Sequence, residues 1–381
     1  MNSTRRPDAN KQLIYYIALS APPTRTPATG EEPFLRPEVG FNPSWFHLHC
    51  GVDFSERWHL DPDYRLRCHE LMTREIRRRF PGRAIGGAEK DEPPDLLTGL
   101  FAGAVVAAIY GQSIMYFPDK WPVAHGDPLS DEQAMALTPA DLSRSAFMDG
   151  ILRQMDRIEQ LTGTIRGFLN WQGVLNTAFR LRGHQIFIDL LENPSLAEHV
   201  FRCIAETMVK GMRLVYERQR QAGQTYNFAS VSNCVVNMIS PQLYHDRLLP
   251  FDAWIRDQFP VFGIHNCAWR VDPYLDSYRE IPEFGYLDMG LESDLGKARK
   301  LFPEARRNVL LTSMYLSSRS DEGVRADLER IAAELGPCDL GLPDVEIDVP
   351  DARILYILDL CQELSERFAT VSERGAASIE E

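Results

Sequence analysis

Nothing in this sequence is suited to meet a bilayer or a polyanion. The longest apolar windows, such as Leu100 to Tyr110, fall well short of the roughly 20 residues a membrane-spanning helix needs. The N-terminal residues do not show the basic-then-apolar order of an export signal. Basic charge is scarce: 41 Lys and Arg against 54 Asp and Glu leave a formal net charge of −13. That balance removes the cationic face with which nucleic-acid and anionic-membrane binders displace counterions. Seven cysteines, an odd number, do not suit a disulfide framework and fit free thiols or metal ligands instead. Phosphate and dinucleotide loops are missing too, since Ala84-Ile-Gly-Gly-Ala88 carries two glycines in neither spacing. What remains is an acidic, cytoplasmic, enzyme-sized chain of 381 residues, long enough for two domains or one large α/β barrel.

The N-terminus is polar from Met1 to Ala9, has a candidate strand or short helix over Gln12 to Leu19, and is rich in proline and threonine from Ala21 to Glu38. Residues 1–40 are therefore expected to form a surface arm, and residues 366–381 a disordered tail. The β-prone run around Trp45 leads to Gly51 and the polar group Asp53, Ser55, Glu56 and Arg57, which predicts a strand ending in a polar loop. His49 and Cys50 would then point to opposite faces of that strand. A basic helix is expected from Pro62 to Phe80, an apolar segment packed on a sheet from Asp95 to Gly111, and a helix capped by Thr138.

From Gly167 onward the chain alternates. Short apolar runs at 167–173, 226–233, 261–267, 285–290, 308–314 and 338–345 are separated by helical segments at 195–221, 241–258, 273–280, 294–302 and 321–334. Strand and helix alternating six times imply a parallel sheet. Adding a strand at Trp45 and one near Val105 or Ile114 brings the count to eight. The simplest architecture is an α/β (β/α)8 TIM barrel over residues 41–365 with an N-terminal extension, and an open doubly wound sheet is the alternative. Its strand ends would gather Asp53, Arg57, Asn170, Gln172, Asn233, Cys234, His265, Cys267, Asp288, Glu292, Thr312, Tyr315, Cys338 and Glu346 at one mouth.

The chemistry centres on Phe262-Gly-Ile-His-Asn-Cys-Ala-Trp-Arg-Val-Asp272. Its His265-x-Cys267 pair offers imidazole and thiolate, the natural donors for zinc, which in catalytic sites takes three protein ligands and leaves a fourth position open. Cys338, 71 positions after Cys267, is the expected third ligand. Cys234 is either a further ligand or a small buried thiol.

Several stretches together resemble the uroporphyrinogen decarboxylase superfamily, which includes zinc-dependent, cobalamin-linked thiol methyltransferases. The residues that carry the resemblance are Leu181-Arg-Gly183 with Asp189 and Asn193-Pro194, Ile239-Ser-Pro-Gln-Leu-Tyr244 with Leu249-Pro250, Gly263-Ile-His-Asn-Cys267, and Tyr286-Leu-Asp288 through Phe302-Pro303. It implies a (β/α)8 fold and zinc on His265, Cys267 and Cys338. It also implies a thiol substrate and a corrinoid methyl carrier, methylcobalamin free or on a partner protein. Within this reading, Asp288 and Glu346 orient His265 or the substrate, and Trp171 and Trp269 wall the mouth beside Asn170, Gln172 and Asn233. The decarboxylase branch relies on an arginine-rich N-terminal signature, and Leu48-His-Cys-Gly-Val-Asp-Phe-Ser-Glu-Arg57 has a single arginine. The alternative is a lyase that decarboxylates a carboxylated small molecule or tetrapyrrole without a cofactor, through Asp53, Arg57 and Tyr315.

Overall fold

The computed structural model describes residues 32–83, 85 and 93–377. The expectations for Met1–Ala9 and Gln12–Leu19, and most of the glycine pair region at 84–88, fall outside those residues. Among the described residues there are eight strands: β1 Leu35–Phe41, β2 Ser113–Met115, β3 Val123–His125, β4 Phe228–Ser232, β5 Val261–His265, β6 Phe284–Gly290, β7 Arg306–Leu310 and β8 Cys338–Val345. Six of them form one parallel sheet in the order β1-β8-β7-β6-β5-β4, and β2 and β3 make a separate antiparallel hairpin.

The sheet does not run on into a closed eight-stranded ladder. Two extended segments lie beside its β4 edge. The Ser232 amide donates to the Gln172 carbonyl at 3.1 Å, and a single bridge joins Asp95 to Arg166. The architecture is an α/β barrel-like curl of parallel strands with helices between them, and the expected closed ring is corrected to that extent.

The first strand is also placed differently. The run around Trp45 is a helix, Pro43–Cys50, with Pro43 in its first turn and Gly51 in the left-handed conformation at its end. Proline at the first helical position and glycine just past the last is the usual helix punctuation, and here it overrides strand propensity. The strand that opens the sheet lies upstream, at Leu35–Phe41, and is buried throughout. It pairs with β8, so residues 35–40 belong to the sheet and not to a surface arm. At the other end, the last helix runs from Asp351 to Ala377, across the boundary expected at 365. Ile114 sits in the hairpin, Val105–Ile109 is a short helix, and the cap expected at Thr138 falls instead to Ser145, which opens the helix Ala146–Thr162.

Alternation along each strand sorts the side chains. Leu35, Val39, Val309, Leu340, Leu342, Leu287 and Ile264 lie on one face, buried in the apolar core. The opposite parity brings together Arg36, Glu38, Tyr286, Asp288, Arg306, Asn308 and Asp339, through the register pairs Arg36↔Asp339, Tyr286↔Arg306 and Asp288↔Asn308. Barrel interiors are usually filled with branched apolar residues, but here the inner layer is polar. At the foot, where the strands begin, Asp339 accepts from Arg36 at 2.8 and 2.9 Å and from Arg306. Gly263 lets β5 and β6 approach, since a Cβ there would lie 2.5 Å from that of Tyr286.

Candidate metal centre

At the C-terminal ends of β4 and β5 the chain brings three soft donors together. Ser232, the last residue of β4, is in register with His265, the last residue of β5, and the Asn233 amide donates to the His265 carbonyl at 2.7 Å. Cys234 and Cys267 each follow two residues after those strand ends. The donor atoms of Cys234, His265 and Cys267 all lie within 4.8 Å of one another. Cys267 holds a left-handed backbone, φ 58°, which is costly for a residue with a Cβ. The strain accompanies a turn that brings its sulfur to 3.2 Å from His265 Nε2.

The histidine is oriented from behind. Asp288 on β6, fully buried, takes His265 Nδ1 at 2.5 Å, the Asn266 amide at 2.5 Å and the Tyr286 hydroxyl at 3.0 Å. Tyr278 in turn donates to Asn266 Oδ1 at 2.7 Å. A proton on Nδ1 facing Asp288 leaves the Nε2 lone pair directed at the sulfurs, the arrangement in which a carboxylate holds a metal-binding imidazole.

Electrostatics follow from this packing. Burial works against a charged His265, but Asp288 and Cys234 outweigh it and raise its pKa to about 9. Cys234 is pushed well below the ordinary thiol value by the Cys267 hydrogen bond, against burial, with His265 helping. Cys267 is pushed up, chiefly as the donor to Cys234 and then by burial. The two cysteines are thus coupled, and an ion bound there would take the place of the protons on the sulfurs and on Nε2. Two sulfurs and one imidazole suit zinc: in a tetrahedral site such donors stand about 3.6 to 3.8 Å apart, inside the 4.8 Å that spans all three here. The Cys234, His265 and Cys267 cluster could hold a metal ion.

The expected third ligand does not join them. Cys338 is the first residue of β8, while His265 is the last of β5, so in a parallel sheet they lie at opposite ends. Eight residues of strand put roughly 20 Å between the start and finish of β8. Cys338 also has the wrong parity, being in register with Leu35 on the apolar face, with its thiol raised to about 12 by burial. Cys234 is the cysteine that lies beside the pair.

The finish of β8 contributes Asp344, which the sequence reading passed over. It is solvent-exposed. Burial raises its pKa, His265 works against that, and Glu346 and Cys234 add to it. Glu346 accepts from Asn42 Nδ2 and Ser44 Oγ, which ties the exit of β8 to that of β1.

The remaining candidates scatter. Asp53 is exposed and caps its own turn through the Ser55 amide at 2.8 Å. Arg57 pairs with Asp61 at 3.3 Å and stacks 4.6 Å from the Tyr64 ring. Tyr315 donates to Asp327 at 2.8 Å in a recess of about 360 Å³ lined by Leu291, Glu292, Tyr315, Arg319, Asp327 and Arg330. The three groups a cofactor-free lyase would need are therefore each spent locally. Trp171 is core filling: it is 4% exposed and lies so close to Gly211 that a Cβ there would meet its ring at 2.2 Å. Trp269 is half-buried against Tyr274, with ring centroids 5.3 Å apart. Asn233 gives its amide to Asp252 at 3.0 Å. Asn170 accepts from the Gln172 amide at 2.8 Å, and Gln172 accepts from Asn176 at 2.8 Å. Thr312 caps the helix Ser313–Ser318.

No protein-family profile matches the chain, and no curated protein matches it. Among solved structures, a methyltransferase from Methanosarcina mazei is similar, with a TM-score of 0.60 at 15% sequence identity, over 84% of this chain and 90% of that one. A likeness at that identity establishes the fold. Among the described residues no helix is long and apolar enough to cross a membrane.

Proposed function

We propose that this chain is a metal-dependent methyltransferase that activates a small thiol, with zinc held by Cys234, His265 and Cys267. The observation that carries the reading is the convergence of those three donor atoms within 4.8 Å at the strand ends where barrel enzymes keep their chemistry. The fold shared with a methyltransferase supports it. A divalent ion held there supplies positive charge that lowers a thiol's pKa from its free value of about 8.5. Asp288 fixes the imidazole ring and its tautomer through the 2.5 Å contact. Asp344, at the same end of the sheet on β8, is our candidate to take the thiol proton. The thiolate then accepts a methyl group, and the bond that held the methyl to its carrier leaves its electron pair on the carrier. By the sequence resemblance, that carrier is a corrinoid, free or on a partner protein.

Protein purified without chelator and assayed by elemental analysis should carry about one zinc per chain. It should demethylate methylcobalamin only when a thiol is present, and dialysis against chelator should remove both zinc and turnover. Protein that stays metal-free after incubation with zinc would overturn the reading.

A further inference from the structure

Of the seven cysteines, all free, Cys68, Cys203, Cys338 and Cys361 are buried, and Cys50, Cys234 and Cys267 are partly open to solvent. The Cys50 thiol donates to the Phe46 carbonyl at 3.2 Å, inside its own helix. Cys234 and Cys267 instead lie with their sulfurs within 4.8 Å of one another. Their backbones leave the sheet side by side. Ser232 and His265 are in register, and the Asn233 amide carries the pairing one residue further, to the His265 carbonyl at 2.7 Å. Neighbouring strands run about 4.8 Å apart, inside the roughly 4.4 to 6.8 Å between the Cα atoms that a disulfide joins.

Both loops are also fixed from outside. A Cβ on Gly173 would lie 2.2 Å from the Ser232 carbonyl oxygen, and one on Gly290 would lie 2.2 Å from that of Ala268, so each loop rests directly on backbone. The asparagine before each cysteine is anchored too, Asn233 on Asp252 at 3.0 Å and Asn266 on Tyr278 at 2.7 Å. Loops held this way keep the two sulfurs within a side-chain rotation of each other.

We propose that Cys234 and Cys267 are a modification site for hydrogen peroxide, closing to a disulfide that leaves His265 as the last of the three donors and so empties the ion site. One sulfur attacks a peroxide oxygen, the O–O bond breaks, the other oxygen leaves as water, and a sulfenic acid remains. The second sulfur attacks the first, the S–O bond breaks, and a second water leaves with the remaining thiol proton. Two thiols have then lost two electrons and two protons, and one peroxide has become two waters. A dithiol reverses the bond by exchange. The loss of the ion rests on the metal reading above, and the disulfide itself does not.

The test is peptide mapping of the full chain. Reduced, chelator-treated protein is exposed to equimolar hydrogen peroxide, capped with N-ethylmaleimide and digested without reductant. A peptide joining Cys234 to Cys267 should form about 10-fold faster than Cys50, the other thiol within reach of solvent, is oxidised. Zinc-loaded protein should form it about 10-fold more slowly, because the ion holds both sulfurs. The oxidised chain should bind zinc about a thousandfold more weakly, and dithiothreitol should restore the affinity. In Cys234→Ser, checked for folding by its melting temperature, Cys267 should go on to the sulfinic acid. If no linked peptide forms, or Cys50 reacts as fast, the modification site is refuted and the metal reading stands. If the linked peptide forms but the reduced chain takes up no zinc, the metal reading fails and the modification site stands. An oxidised chain that keeps its zinc affinity would overturn the switch and the ligand set together.

Discussion

The two ends of the curled sheet are both polar, one buried and one partly open to solvent, and they are built on opposite principles. At the foot, Asp339 is gripped by Arg36 and Arg306, and Arg306 also reaches Glu32 at 2.8 Å. Charges there are matched and the donors used up. At the mouth, Cys234, His265 and Cys267 crowd together without a carboxylate on either sulfur, and Asp344 has no hydrogen-bond partner among the described residues. A satisfied network holds a fold together, whereas a cluster whose groups are left unmatched is where an ion or a ligand can still be bound. A cysteine at each end makes the contrast concrete: Cys338 is packed in the apolar core, and Cys234 lies beside His265 and Cys267 in a cluster that could hold an ion.

The largest effect is expected at the mouth. Cys234→Ala and Cys267→Ala should each weaken zinc binding by about a thousandfold, read by competition with a chromophoric chelator, and should leave a folded chain. The foot should respond in the opposite sense. Asp339→Ala strands two buried guanidiniums, so urea denaturation should show a loss of about 3 to 5 kcal/mol, while the folded protein keeps its zinc.

A third test uses pH. Asp252, fully buried behind the mouth with Asn233 and Tyr244 as partners, is pushed up to about 6 by burial. No cation acts on it, unlike Asp339. Because its folded pKa lies above the ordinary 3.8, the folded state keeps a proton that the unfolded state has already released between about pH 4 and 6. Its contribution to stability is full below pH 4 and is lost as pH rises through 6. Asp252→Asn should flatten that part of the stability profile by about 3 kcal/mol, judged against wild type in urea at pH 4 and pH 7.

Smaller again, Asp288→Asn keeps the shape but weakens the hold on His265, and zinc affinity should fall about 10- to 100-fold. Smallest is Cys338→Ala, which should cost about 1 kcal/mol of stability and leave zinc content unchanged. Loss of zinc in that variant would reverse the assignment of the two cysteines.

Much of the barrel was legible because strand and helix patterns are local. Cys338–Val345 and Asp321–Glu334 match their expected runs, and Phe228–Ser232, Val261–His265 and Phe284–Gly290 fall within or beside theirs. The N-terminal third misled for a physical reason. Aromatic residues around Trp45 mimic strand propensity, but Pro43 and Gly51 bracket a helix whose buried Trp45 and Phe46 pack on Phe41 and Phe80. Propensity yields to packing wherever both readings bury the same rings.

From sequence alone came the alternation that builds a parallel sheet, and a His-x-Cys pair on a loop leaving a strand, since two residues of spacing need no long-range information. The tertiary structure decided which other cysteine lies beside that pair, and put Asp344 at the same end of the sheet. Those choices depend on which end of a strand a residue occupies and on which face it lies. Both are set by register against neighbours tens to hundreds of residues away, where a shift of one position exchanges core for cavity.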